Sequence, residues 1–99
     1  MDWNPENWKQ TWPHYSLPVN ALSRAAMAES FVEKIVPGAV WTVTRENGPA
    51  ETWPVGSLDL TKTTQRLLGL WAEGRAFLLV ASDGSLTAYG DGLGECWIR

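Results

Sequence analysis

The segment RAFLLVAS, residues 75–82, constrains the fold more than any other part of the sequence. Its apolar residues occupy both alternating sets, Phe77 with Leu79 and Leu78 with Val80. A strand with one face in water alternates apolar and polar residues, whereas a strand that is apolar on both sets is covered on both faces. The segment therefore predicts the central strand of a sheet.

The Asn47-Gly48 pair predicts a hairpin before this central strand. It follows the alternating, β-branched segment at residues 39–45, and both residues of the pair tolerate positive φ. A two-residue turn there sets Trp41 and Trp53 on opposite faces of the ribbon, unless a longer loop shifts the register. The return segment, residues 50–55, contains a proline that cannot donate to a ladder, so we expect it at a sheet edge.

A second hairpin is predicted after the central strand, because Asp83-Gly84 is a turn signal and LTAYG follows it. The segment ECWIR, residues 95–99, adds one further strand. Between them, GDGLG is not followed by a helix, so it predicts a glycine-rich turn and not a phosphate-binding loop. Asp83 and Asp91 lie in these turns, where aspartate commonly bonds its own backbone, and we do not interpret them as a metal or acid/base pair.

Two amphipathic helices are predicted, one within residues 19–38 and one within residues 57–74. Asn20 is a good N-cap for the first, and Ser57 or Asp59 for the second, since their side chains accept from otherwise unpaired backbone N–H groups. In the first helix the predicted buried stripe is Ala21, Ala25, Ala28, Val32 and Ile35, and Leu22 and Phe31 widen this stripe. In the second helix the predicted buried stripe is Leu60, Thr64, Leu67, Leu68 and Trp71.

The N-terminal segment MDWNPENWKQTWPHY is rich in aromatic residues and contains Pro5 and Pro13, which exclude one continuous helix. We expect an irregular aromatic arm that covers the second face of the sheet or the end of the helices. The whole order predicts one α+β domain over residues 1–99. Its architecture is a two-layer sandwich in αββαββ order, with an antiparallel sheet of four to five strands and two helices on one face.

The charge balance separates the classes of partner. Eight Lys and Arg against eleven Asp and Glu leave a net charge of -3, and no block of basic residues offers a surface to nucleic-acid phosphates. An acidic protein instead favours a basic protein partner, because complementary charge speeds encounter. The longest apolar run, AFLLVA, is too short to span a bilayer, and no signal peptide is evident. These patterns favour a cytoplasmic protein that does not bind membranes.

Catalytic and metal-binding groups are sparse. His14 is the single histidine and Cys96 the single cysteine, whereas a metal site needs three or four ligands and a general base needs a partner nearby. A Cys96–His14 pair is conceivable, but a cysteine in a strand is more commonly an inert buried thiol. We expect a protein that is not an enzyme and holds no cofactor.

Seven tryptophans in 99 residues are the strongest anomaly of composition. Three of them occupy positions that face a predicted core: Trp41, Trp71 and Trp97. The other four are Trp3, Trp8, Trp12 and Trp53, and they divide between covering the core and presenting anchors to a partner, since Trp is favoured in protein interfaces.

These features predict a small protein inhibitor, such as an immunity protein that neutralises a toxin, in particular a nuclease, or a phage protein that blocks a defence enzyme. The residues predicted to contact the partner are Trp3, Trp8, Trp12, Tyr15, Glu46, Glu51, Trp53, Asp83 and Asp91. Two alternatives remain open: an aromatic-lined module that binds a sugar, a quaternary amine or single-stranded nucleic acid, and a homo-oligomeric structural subunit. The sequence is compatible with a monomer or a homodimer.

Overall fold

The computed structural model describes residues 3–34, 39–46, 48–55 and 58–99, which form three helices and six strands. The helices are α1 (Pro5–Thr11), α2 (Ala21–Val32) and α3 (Leu60–Ala72). The strands are β1 (His14–Ser16), β2 (Trp41–Arg45), β3 (Ala50–Trp53), β4 (Phe77–Ala81), β5 (Thr87–Gly90) and β6 (Glu95–Ile98). All six strands join one antiparallel sheet in the order β1-β6-β5-β4-β2-β3. The α+β class is confirmed, with more elements than predicted.

The N-terminal segment is not an irregular arm, and that prediction was wrong. The side chain of Asn4 caps α1 by accepting from the backbone of Asn7 at 3.4 Å, and Pro5 occupies the start of the helix. Proline is well tolerated there, because its missing N–H would have no partner inside the helix. After Pro13 the chain extends as β1 and pairs with β6, placing His14 opposite Trp97.

The sheet is covered by helices on both faces, so the predicted two-layer architecture is also corrected. Successive side chains of a strand point to opposite faces. Leu79 of β4 packs with the buried residues of α2 and α3, whereas its neighbour Leu78 packs with Trp8 and Trp12 of α1. The central position of β4 and the covering of both its faces are confirmed. None of the helices in the described ranges is both long and apolar enough to cross a lipid bilayer.

The caps of the two predicted helices are confirmed. Asn20 accepts from the backbone of Ser23 at 3.0 Å, and Asp59 accepts from the backbone of Lys62 at 2.7 Å. The predicted buried stripes are less accurate: Leu22 is 82% exposed and Leu60 is 41% exposed. Both lie in the first turn of their helices. The remaining exceptions are Ala21, which is exposed, Ala25 and Leu68, which are half-buried, and Ile35 and Ser57, which lie outside the described residues.

The register of the hairpin between β2 and β3 differs from that of a two-residue turn. Trp41 lies opposite Trp53, so both rings share the face that α2 and α3 cover. Residues 46–49 connect the strands, and this longer connection is the alternative that shifts the register. Asn47 lies outside the described residues. The predicted edge position of the return strand is confirmed, because β3 ends the sheet.

Candidate binding site

The nine residues predicted to contact a partner do not form one surface. The α1 face holds Trp3, Trp8 and Trp12, whereas the opposite face holds Tyr15 at the β1 edge and Glu51 and Trp53 at the β3 edge. The remaining three lie at the two ends of the sheet. One end, where β2 and β5 finish, holds Glu46 and Asp91, and the other end holds Asp83. A single compact partner surface can contact only a subset of them. The role of each residue in binding stays a prediction.

Four aromatic rings form a small core beneath α1. Trp8 and Trp12, four residues apart and therefore on one side of the helix, stack with ring centroids 5.4 Å apart. Trp8 also contacts Tyr89 at 5.4 Å, and Tyr89 contacts Trp97 at 5.7 Å. Trp8 is 4% exposed and Trp12 is 6% exposed, so these two tryptophans cover the sheet.

Trp3 is the exposed member of this aromatic group. Its ring meets Trp8 and Tyr89 edge-on, with centroids 5.6 and 5.8 Å away, and the residue remains 37% exposed. It borders a groove of about 410 Å³, which we call the Trp3 groove. The groove is lined by Trp3, Thr44, Arg45, Glu46 and Gly48.

Negative charge converges beside the Trp3 groove. Burial raises the pKa of the Tyr89 hydroxyl, and the nearby carboxylates of Asp91 and Glu46 raise it further. Because both carboxylates act on the same hydroxyl, Asp91 and Glu46 lie at the same end of the sheet. Within the described residues, neither Glu46 nor Asp91 forms an ion pair.

Arg45 joins the sheet to the end of α3. Its guanidinium donates to both carboxylate oxygens of Glu73, at 2.7 and 2.9 Å, and its Nη1 lies 3.1 Å from Oε2 of Glu51. The hydrogen bonds from Arg45 hold the pKa values of Glu73 and Glu51 below their usual range. The indole N–H of Trp53 also donates to Glu51, at 3.2 Å. Glu51, predicted to meet a basic partner, is therefore held by Arg45, whose single charge it shares with Glu73.

A second groove lies between the β3 edge and α3, and we call it the Trp53 groove. Two guanidinium groups lie over the ring of Trp53, that of Arg45 at 5.7 Å and that of Arg66 at 5.2 Å from the ring centroid. The groove has a volume of about 490 Å³. Its lining includes Trp53, Leu58, Lys62, Arg66, Gly69 and Leu70.

His14 and Cys96 do not form a pair. The ring of His14 contacts Trp97 on the α1 face, at 5.0 Å, whereas Cys96 is buried in the core of the opposite face. Nε2 of His14 lies 3.0 Å from Glu95, which also accepts from the hydroxyl of Ser16 at 2.7 Å. The Ser16 hydrogen bond is the main reason that the pKa of Glu95 is lowered. Burial raises the pKa of Cys96 to about 12, so the thiol stays protonated and unreactive.

The turn aspartates bond the backbone as predicted. Asp83 accepts from the backbone and hydroxyl of Ser85, at 2.9 and 2.6 Å. Asp91 accepts from the backbone of Leu93 at 2.7 Å and of Glu95 at 3.2 Å. In the part of the chain that the structure describes, no three His, Cys, Asp or Glu side chains form a group that could hold a metal ion.

Sequence reasoning missed the contributions of Tyr89, Arg66 and Gly69. Tyr89 follows the Asp83-Gly84 turn, and its position opposite Leu78 puts it on the α1 face. Extending the hairpin register across that turn could have found it. A glycine inside a predicted helix was the available signal for Gly69, because it is a poor helix former. No sequence signal brings Arg66 to Trp53.

Comparisons with models of known protein families, with curated proteins and with solved structures find no match to this chain.

Proposed function

We propose that this protein is a binding inhibitor that covers a basic surface of a macromolecular enzyme, such as a nuclease toxin or a nucleic-acid-cleaving defence enzyme. The observation that carries the proposal is the exposed ring of Trp3 beside the carboxylate of Glu46 in one groove. The Trp3 groove is then the centre of the contact, and the carboxylates stand where a phosphate of the enzyme's substrate would bind.

Trp3 has the properties of an interface anchor. Contacts with Trp8 and Tyr89 fix the ring before a partner arrives, so little side-chain freedom is lost on binding. Rigid, partly exposed tryptophans contribute more to protein interfaces than most other residues. In this proposal the buried Trp8 and Trp12 act as the support of Trp3, and the partner contacts them little.

The charges around the groove favour a basic partner. Arg45 lines the groove, but Glu73 and Glu51 balance its charge. Glu46 and Asp91, which form no ion pair within the described residues, add negative charge at this end of the sheet. Carboxylates at such a site raise the association rate with a basic protein, and added salt reduces the gain.

The test is capture of partners from the native host with the immobilised protein, followed by an affinity measurement on the purified partner. Trp3→Ala and Glu46→Lys are compared with Leu22→Ala and Glu33→Lys, which change an exposed apolar residue and an exposed acid on α2. We expect Trp3→Ala to cost about 2 kcal/mol of binding free energy, as a hot-spot residue does. Glu46→Lys should slow association, and both control variants should bind normally.

Inhibition is measured separately, as the loss of the partner's enzymatic activity when the wild-type protein is added. A captured partner that binds Trp3→Ala and Glu46→Lys as tightly as wild type would contradict the proposed surface. A partner that binds through the groove but keeps full activity would contradict inhibition. Self-association that Trp3→Ala abolishes in sedimentation experiments would instead support the homo-oligomeric alternative.

A further inference from the structure

We propose that the Trp53 groove is a binding site for a small organic phosphate, a molecule that carries a phosphate group on an apolar or aromatic body. This site lies at the β3 edge on the α2 and α3 face of the sheet, and it shares no described lining residue with the Trp3 groove. It therefore adds a small-molecule ligand to a protein whose proposed partner is a macromolecule, and it does not depend on that partner.

The rim of the groove supplies cations for the phosphate. Lys62 and Arg66 are four residues apart in α3, so they lie on the same side of the helix. Neither forms an ion pair with an acid of the described residues. The guanidinium carbon of Arg66 lies over the Trp53 ring, 5.2 Å from its centroid, and the planar group carries five N–H donors in a fixed fork. Such a fork donates two hydrogen bonds to a phosphate.

The acids near the described part of the groove are paired with an arginine. Glu73 lines the end of the cavity, but Arg45 donates to both its carboxylate oxygens. Glu73 and Glu51 share Arg45, so these three groups together carry one negative charge, whereas Lys62 and Arg66 carry two positive charges. The groove as a whole is therefore positive, although the protein carries a net charge of -3.

The floor of the groove supplies apolar area for the body of the ligand. Trp53 and Leu58 are half-buried at one side, and Leu70 is buried below them. The volume of about 490 Å³ is that of a site for a small molecule. An anion without an apolar body would leave this floor in water, so we infer a ligand with both parts.

Gly69 supports the proposal, because a glycine in the wall of the groove leaves space for a ligand. It lies inside α3, where glycine is less favourable than alanine. A Cβ built at Gly69 meets no atom within 4 Å, and its φ is not in the left-handed region. Neither packing nor backbone conformation requires a glycine at this position. The groove does benefit, because a side chain that extends beyond Cβ would project into the space that a ligand needs.

The experiment follows the indole N–H signal of Trp53 in nitrogen-15 NMR spectra of the whole protein. The probes are phenyl phosphate and adenosine monophosphate. Three compounds serve as controls. Inorganic phosphate lacks the aromatic body of the probes, and benzyl alcohol and adenosine lack the phosphate group. We expect both probes to shift the signal with dissociation constants of about 1 mM or below. The three control compounds should bind at least about tenfold more weakly.

Variants locate the binding. Lys62→Gln and Arg66→Gln should each weaken both probes by about tenfold, as the loss of a charged hydrogen bond does. Gly69→Phe should abolish binding, while Gly69→Ala, which adds only the Cβ, should retain it and raise the melting temperature. The melting temperature of each variant confirms that it is folded.

Three results would overturn the proposal. The first is no shift of the Trp53 signal with either probe at about 10 mM. The second is binding of inorganic phosphate as tight as that of phenyl phosphate. The third is binding that neither Arg66→Gln nor Gly69→Phe weakens in the folded protein. None of these results bears on Trp3 or Glu46, so the proposed inhibitor function is tested independently.

Discussion

The two faces of the sheet are closed in different ways. On one face, two long helices cover a core of mostly aliphatic residues, in which Leu67, Leu79 and Leu86 are fully buried. On the other face, a helix of seven residues closes a smaller core with the rings of Trp8 and Trp12. A short helix buries enough area to stay folded only if its side chains are large. The tryptophan content of this chain is thus partly a consequence of how small α1 is.

The largest expected effect comes from the face of the long helices. Leu79→Ala removes a fully buried side chain from the central strand, and we expect the free energy of unfolding to fall by about 3 kcal/mol. Urea denaturation followed by far-ultraviolet circular dichroism measures the loss. A cost below about 1 kcal/mol would mean that this core is loosely packed and that the contrast between the faces is weaker than described.

Trp8→Ala tests the other face, and we expect a smaller loss of about 2 kcal/mol, because α1 can detach without unfolding the rest of the molecule. Amide hydrogen exchange distinguishes local detachment of α1 from unfolding of the whole protein. In the variant, the amides of α1 should exchange rapidly while those of β4 stay protected. If β4 loses protection together with α1, the two faces form one cooperative unit and the comparison fails.

The smallest effect is a difference in acid sensitivity. Arg45 lowers the pKa values of Glu73 and Glu51 in the folded protein, so these groups stabilise the fold above their unfolded pKa values. That contribution is lost as the pH falls through the lowered pKa values of the folded state, below about pH 4. The Arg45 contacts between β2 and α3 should then weaken, whereas Trp8 and Trp12 carry no charge to titrate. The pKa of Glu95 is also lowered, by the hydroxyl of Ser16 and by His14, so the β1–β6 pair adds an acid-sensitive contact that is common to wild type and the Glu73→Gln variant.

Glu73→Gln should make the stability less dependent on pH in this window, because the variant lacks one of the lowered carboxyl groups. Glu33→Gln removes an equal charge from an exposed position on α2 and serves as the control. Urea midpoints at several pH values measure the stability of the whole protein. The indole N–H signals of Trp53 and Trp8 report the two faces separately. Equal acid sensitivity of wild type and Glu73→Gln would show that the Arg45 contacts add little.

Local patterns in the sequence predicted much of the fold. The apolar residues on both alternating sets around Leu79 predicted a central strand, and the caps at Asn20 and Asp59 started both long helices where expected. These features depend on residues that are close together in the chain. The register between β2 and β3 was harder, because one residue more or less in the loop moves Trp53 to the other face.

The candidate site was less predictable, because it depends on contacts between distant residues. The aromatic composition alone could not separate the buried Trp8 from the exposed Trp3. Their different burial follows from α1, which turns Trp8 toward Tyr89, a residue about 80 positions later in the chain. Acidic residues were equally ambiguous: Glu51 is bound by Arg45, whereas Glu46 forms no ion pair within the described residues.

The pairing of β1 with β6 also determines when the sheet can be completed during synthesis. His14 emerges from the ribosome long before its partner Trp97 is made. At ordinary translation rates of about 5–20 residues per second, β1 is made several seconds before β6, the strand with which it pairs. During that interval the rings of Trp8 and Trp12 have no Trp97 to pack against. We infer that neither face of the sheet is closed until β6 is made, because Trp97 packs on the α1 face and Cys96 and Ile98 pack in the opposite core.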